Sequence, residues 1–170
     1  MKIGYVIPFA TFKTTTTESK TTTDIFSNKR ILVFSLPGAF TPTCSNYQVP
    51  TFEKHYDSIK RLDIDDIYCI SVNDAYVMNA WSKDQNLTKI KLIPDGNGSF
   101  TKLMGMLVEK HNLGFGSRSW RYAMIVGNGV VEAWFEEPGR CDNMEDDPYK
   151  VTSPENVLVY LSQRNLDTNY

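Results

Sequence analysis

Cysteine is scarce in this chain, and no two cysteines lie close together: Cys44, Cys69 and Cys141 are the three in 170 residues. An odd count at wide spacing excludes a secreted disulfide framework, and without a Cys-x-x-Cys pair dithiol exchange has no sequence basis. Histidine is scarcer still. His55 and His111 stand in no ligand spacing with the cysteines, so the clustered donors of a zinc site are missing. The Gly96-x-Gly98 pair is too little for a phosphate-binding loop. Charge excess is also missing: 18 Lys and Arg against 20 Asp and Glu give a formal net charge of −2. That leaves no electrostatic basis for binding nucleic acid or an acidic membrane. No apolar run is long enough to span a bilayer. Met1-Lys2-Ile3-Gly4-Tyr5-Val6 lacks the apolar core of a signal peptide, and Asp167-Thr168-Asn169-Tyr170 matches no lipidation or retention signal. The expectation is a protein of a reducing compartment, the cytoplasm by default, with no metal or organic cofactor.

What is present reads as one domain over 1–170, with a hairpin extension over 1–28 and a tail over 165–170. Thr14-Thr15-Thr16-Thr17 and Thr21-Thr22-Thr23 flank Glu18-Ser19-Lys20. Threonine favours strands, so the segment predicts a hairpin turning at 18–20. A strand over 30–36 leads through a proline-rich loop to a helix over 48–62, with Pro50 kinking it or marking its start. A strand over 67–72 follows, then a helix capped by Asn73-Asp74 and carrying Val77, Met78 and Trp81. A third strand spans 90–93, and Phe100, Leu103, Met104 and Leu107 predict another helical stretch. Gly127-Asn128-Gly129 joins strands over 122–126 and 130–135, and a helix over 154–164 starts at Ser153. This alternation predicts an α/β fold with a central mixed sheet flanked by helices. The acidic segment Cys141-Asp142-Asn143-Met144-Glu145-Asp146-Asp147-Pro148 reads as an exposed loop, its Glu145-Asp146-Asp147 run as a solvated face.

The chemistry points to Cys44. Pro37-Gly38-Ala39-Phe40-Thr41-Pro42-Thr43-Cys44 runs from a strand end to a helix start. A helix N-terminus offers free N–H groups and positive partial charge, which favour a thiolate. At a pKa of ~8.5 a thiol is only about 3% ionised at pH 7, and a shift to ~6 makes it about 90% thiolate. A guanidinium nearby would add a charge that never titrates, and Arg118 and Arg121 are equal candidates. Three residues before Cys44 stands Thr41, a hydroxyl that can hydrogen-bond an oxygen ligand but cannot form a disulfide. Pro37 and Pro42 stiffen the loop, and Pro37 can shield the sulfur. Phe40 in that loop reads as an exposed aromatic of the kind that marks interfaces.

Pro37-x-x-x-Thr41-x-x-Cys44 resembles the signature of peroxiredoxins, thiol peroxidases with a thioredoxin-like fold. The longer string through Ser45, Ile70-Ser71-Val72-Asn73-Asp74-Ala75-Tyr76-Val77-Met78, Arg121-Tyr122-Ala123-Met124-Ile125-Val126 and Glu137-Pro138-Gly139 resemble the peroxiredoxin-5 and plant type II group. The likeness runs from Ile3 to Leu161. It implies that Cys44 attacks hydrogen peroxide or an alkyl hydroperoxide and becomes sulfenic acid. It implies further that Thr41 binds the peroxide, that Pro37 covers the site, and that Arg121 stabilises the thiolate, with Arg118 one step removed.

Three thiols are candidates to resolve the sulfenic acid. Cys69 stands where plant type II enzymes carry their second cysteine, but in a strand that reads as buried. Cys141 stands in a polar loop beside Arg140, nearer the Glu-Pro pair than the resolving cysteine of the animal enzymes. The leading expectation is an external thiol: glutathione, glutaredoxin or thioredoxin. The resemblance also implies a homodimer. Two other functions use the same cysteine, a non-enzymatic redox sensor or holdase and a thioredoxin-type disulfide oxidoreductase.

Overall fold

The computed structural model describes residues 2–167. Its central sheet begins with β3 (Arg30–Leu36), which runs parallel to β4 (Asp66–Ser71), itself parallel to β5 (Lys91–Pro94). On its other side β3 runs antiparallel to β8 (Tyr122–Gly127), and β8 antiparallel to β9 (Val130–Glu136). The order β5-β4-β3-β8-β9 makes the sheet mixed, as the pattern predicts. Side chains alternate across β3: Ile31 and Val33 face one core, Leu32, Phe34 and Leu36 the other.

Three helices close the second face: α2 (Val49–Lys60), α3 (Ala75–Asp84) and α5 (Pro154–Asp167). Phe52 of α2 stacks on Phe34 with ring centroids 4.0 Å apart, and Tyr56 and Ile59 continue the same stripe. The first face is covered by Phe12, by Ile25 and Phe26 of α1 (Thr22–Phe26), and by Phe100 of α4 (Ser99–Leu103). Ser153 and Asp74 cap their helices as expected; Asp74 Oδ1 accepts from the N–H groups of Tyr76 and Val77. Asn128 and Gly129 both have positive φ, which the tight β8–β9 turn requires.

The amino-terminal hairpin forms, but not around 18–20. β1 (Thr11–Lys13) pairs with β2 (Ser19–Thr21), so the connection runs from Thr14 to Glu18. The second threonine run leaves the strand at once, because Thr21 and Asp24 form a reciprocal capping box that starts α1. The helix expected through Leu107 stops at Leu103, where Gly105 takes positive φ. Leu107 then opens β6 (Leu107–Glu109), which pairs with β7 (Ser117–Ser119) in a small ribbon that periodicity did not suggest. The last helix runs beyond 164 to Asp167, taking up half of the expected tail; residues 168–170 lie outside the described residues. Among the described residues, no helix is long and apolar enough to cross a membrane, and no three ligating side chains cluster.

Candidate active site

The β3 carbonyl ladder ends at Leu36, and the chain turns through Pro37 and Gly38 into a helix. Gly38 has a packing reason: a Cβ there would collide with the Arg118 guanidinium. Pro42 takes the first helical position, where a missing N–H costs nothing. Winding therefore begins six residues before the expected start. Cys44–Gln48 form a π turn, in which the Val49 N–H reaches back to the Cys44 carbonyl. Pro50 stands just beyond, at the point where ordinary α-helical register resumes. Of the π-turn side chains, only Cys44 and Gln48 are buried.

Cys44 is 0% exposed. Arg121, at the head of β8 and 2% exposed, directs Nη1 at the sulfur from 3.8 Å. The structure thus brings Cys44 and Arg121 together across 77 residues and separates the two arginines. Arg118 donates instead from Nη1 to the Pro37 carbonyl at 3.3 Å and from Nε to the Phe115 carbonyl at 3.0 Å. It braces the loop backbone. Burial lowers its pKa, and the Cys44 charge opposes that shift, so it still lies within the electrostatic reach of the thiol. Thr41 donates its hydroxyl to the Gly38 carbonyl at 2.7 Å. With that proton engaged, its oxygen is left as an acceptor for an incoming O–H. Pro37 lines a narrow crevice beside Arg121 with Lys110, Trp120, Asp147 and Pro148. A cavity of about 390 Å³ lies elsewhere, between Lys13, Thr16, Asp74 and Tyr76, and contains none of these groups.

Three participants were not legible in the sequence. Gln48 accepts from Arg121 Nη1 through Oε1. Asp147 Oδ1 accepts from Arg121 Nη2 at 2.6 Å, so the third acid of the acidic run is an ion-pair partner and not merely a solvated face. Tyr149 sets its ring 5.5 Å from the guanidinium carbon; burial and then the Glu155 charge push its phenol up to about 12, so it stays neutral. What delivers Asp147 and Tyr149 is Glu137. Its buried carboxylate accepts from the N–H groups of Lys150, Val151 and Thr152 and from the Thr152 hydroxyl, pinning the end of the loop that follows β9. Glu137 was visible only as part of a matching string, with no role attached.

The other thiols differ sharply. Cys69 is central in β4, opposite Phe34, and wholly buried. Burial pushes its thiol well up, the Cys44 charge adds to that, and Arg121 opposes it. Cys141 is exposed, with Sγ 3.7 Å from Met144 Sδ. Its neighbour Arg140 pairs with Glu136 at 3.3 Å and donates to the Gly105 carbonyl, so that cation is engaged away from the thiol. All three cysteines are free.

A family model described as Redoxin matches residues 2–150. A peroxiredoxin of Rhizobium etli is 64% identical over 144 residues, covering 85% of this chain and 80% of its own. The chain belongs to the peroxiredoxin family. Its fold agrees: the Plasmodium falciparum antioxidant protein, a 1-Cys peroxiredoxin, superposes with a TM-score of 0.91 at 42% identity, covering 96% of this chain and 99% of that one. The reduced Prx3 of Vibrio vulnificus in complex with hydrogen peroxide superposes with a TM-score of 0.86 at 35% identity, covering 97% and 98%. As a peroxiredoxin with a thioredoxin-like fold, the protein is a thiol peroxidase.

Proposed function

We propose that Cys44 is the peroxidatic nucleophile, acting on hydrogen peroxide and small alkyl hydroperoxides. The observation that carries this is the 3.8 Å approach of Arg121 Nη1 to a wholly buried Cys44 sulfur. A permanent cation in a dry site favours the thiolate and then the developing negative charge on the leaving oxygen. The thiolate attacks one peroxide oxygen, the O–O bond breaks, and hydroxide or alkoxide leaves with the electron pair. Cys44 is then sulfenic acid. Thr41 accepts a hydrogen bond from the peroxide and aligns it, and Pro37 shields the sulfur from bulk water.

Resolution falls to an external thiol, glutathione with glutaredoxin, or thioredoxin. That thiol condenses with the sulfenic acid, releases water and leaves a mixed disulfide, which a second thiol cleaves. The burial and raised pKa of Cys69 support this, as does the engagement of Arg140 away from Cys141. The 1-Cys description of the Plasmodium relative supports it too. A reducing compartment such as the cytoplasm suits three free thiols. The exposed Phe40 (51%), Tyr47 (62%) and Tyr76 (63%) support a homodimer contact near the active-site loop.

Turnover of hydrogen peroxide with each reductant system tests the reading. Cys44→Ser abolishes turnover with all of them. A stoichiometric Cys44–Cys69 or Cys44–Cys141 disulfide, found by mass spectrometry after one equivalent of peroxide without reductant, overturns the external-thiol step. A Cys44→Ser protein with full activity overturns the site.

A further inference from the structure

We propose that Gln48 is a positioning residue for this reaction: its buried amide oxygen holds the Arg121 guanidinium against the Cys44 sulfur without cancelling its charge. The proposal rests on the assignment of Cys44 and Arg121 made above.

Gln48 is 0% exposed, and it shares the inner face of the π turn with Cys44. A single nitrogen, Arg121 Nη1, faces both Cys44 Sγ and Gln48 Oε1. The same turn that carries the nucleophile therefore carries the acceptor that aims the cation, and the two move together. π turns inserted in α-helices recur at functional sites, where they reorient one or two side chains. Here the reoriented pair is the thiol and the amide.

The choice of an amide is informative because it is a poor choice for packing. Gln48 Nε2 and Arg121 Nε are both buried and have no acceptor among the described residues. A buried donor left without a partner is costly, and an apolar side chain of similar volume avoids that cost. A polar group kept at such a place is better explained by what its oxygen does for Arg121 than by stability.

Neutrality matters for a second reason. Arg121 Nη2 already meets the Asp147 carboxylate, on a side chain that is 40% exposed and thus partly screened. A second carboxylate, buried at position 48, would oppose the positive field at the sulfur at close range and with little screening. A neutral acceptor supplies direction and leaves the charge. Glutamine is the side chain that reaches from this turn and satisfies both demands.

The experiment compares wild-type full-length protein with Gln48→Met, Gln48→Glu and Arg121→Met. Each is first checked for folding by its urea midpoint. The readout is the second-order rate of Cys44 oxidation by hydrogen peroxide in single-turnover mixing, followed across pH. Gln48→Met is expected to lower the plateau rate about tenfold or more and to move the midpoint of the profile upward, because a misdirected cation loses much of its effect. Gln48→Glu is expected to move the midpoint further upward than Gln48→Met does. The inference is overturned if Arg121→Met shifts the midpoint while both Gln48 variants keep the wild-type rate and midpoint, whatever their urea midpoints do. If Arg121→Met itself leaves the midpoint in place, the assignment of Arg121 fails, and this inference goes with it.

Discussion

Asp147 and Cys44 share one guanidinium: Arg121 gives Nη2 to the carboxylate at 2.6 Å and Nη1 to the sulfur at 3.8 Å. The carboxylate lowers the net positive potential that the thiol feels. Asp147→Asn keeps an oxygen acceptor and removes that charge. Cys44 should then be oxidised by hydrogen peroxide faster, by a few-fold at most, since the carboxylate is partly exposed and acts from beyond the arginine. Single-turnover mixing measures this rate. A rate that falls instead means that Asp147 serves chiefly to hold Arg121 in place.

Thr41 allows a cleaner chemical test. Its hydroxyl proton is engaged by the Gly38 carbonyl, which leaves the oxygen to accept from a peroxide O–H. Thr41→Val keeps the shape and removes both bonds, whereas Thr41→Ser keeps both. The valine variant should lose roughly 10²-fold or more in the rate of Cys44 oxidation, the scale on which a site built to bind a hydroxyl suffers when one partner is missing. The serine variant should stay within a few-fold of wild type. If valine and serine behave alike, the hydroxyl is not a peroxide contact.

The loop that carries Asp147 is held by Glu137, whose carboxylate accepts four hydrogen bonds from Lys150, Val151 and Thr152. Glu137→Ala strands those donors and should cost about 3 kcal/mol by chemical denaturation. Glu137→Gln retains part of the set and should cost less. The alanine variant should also become sensitive to limited proteolysis between residues 138 and 149. Resistance equal to wild type would show that the loop is held by other contacts.

These three cases also show what a single sequence discloses. The strand before Cys44, the loop and its helix were legible because their signals are local: an apolar run, prolines at a turn, a repeating helical stripe. Arg121 needed a family likeness, since nothing in its own neighbourhood distinguishes it from Arg118; the structure separates them by what each guanidinium faces. Gln48 and Asp147 were out of reach. Their partner lies 73 and 26 residues away, and a glutamine in a helix or an acid in an acidic loop ordinarily faces solvent. The β6–β7 ribbon was hidden for another reason. Its strands are three residues long, and Leu107 falls in step with the helical stripe that Gly105 interrupts.

Cys69 supplies the pH test. Its thiol is wholly buried and pushed well up, first by burial and then by the Cys44 charge. In the unfolded chain a cysteine titrates near 8.5. A folded pKa above the unfolded one means that the folded state holds its proton longer. The stability this contributes is fully present below about 8.5 and is lost as pH rises from there toward the folded value. Wild-type protein should therefore lose stability above pH 8.5 more steeply than Cys69→Ala, by up to ~1.4 kcal/mol per pH unit. Urea denaturation of both proteins at pH 7, 9 and 10 measures the difference. In the same range the folded wild type should resist alkylation at Cys69 while the exposed Cys141 reacts. Parallel stability curves, together with rapid alkylation of Cys69, would mean that β4 opens readily enough to expose it and would restore Cys69 as a resolving thiol.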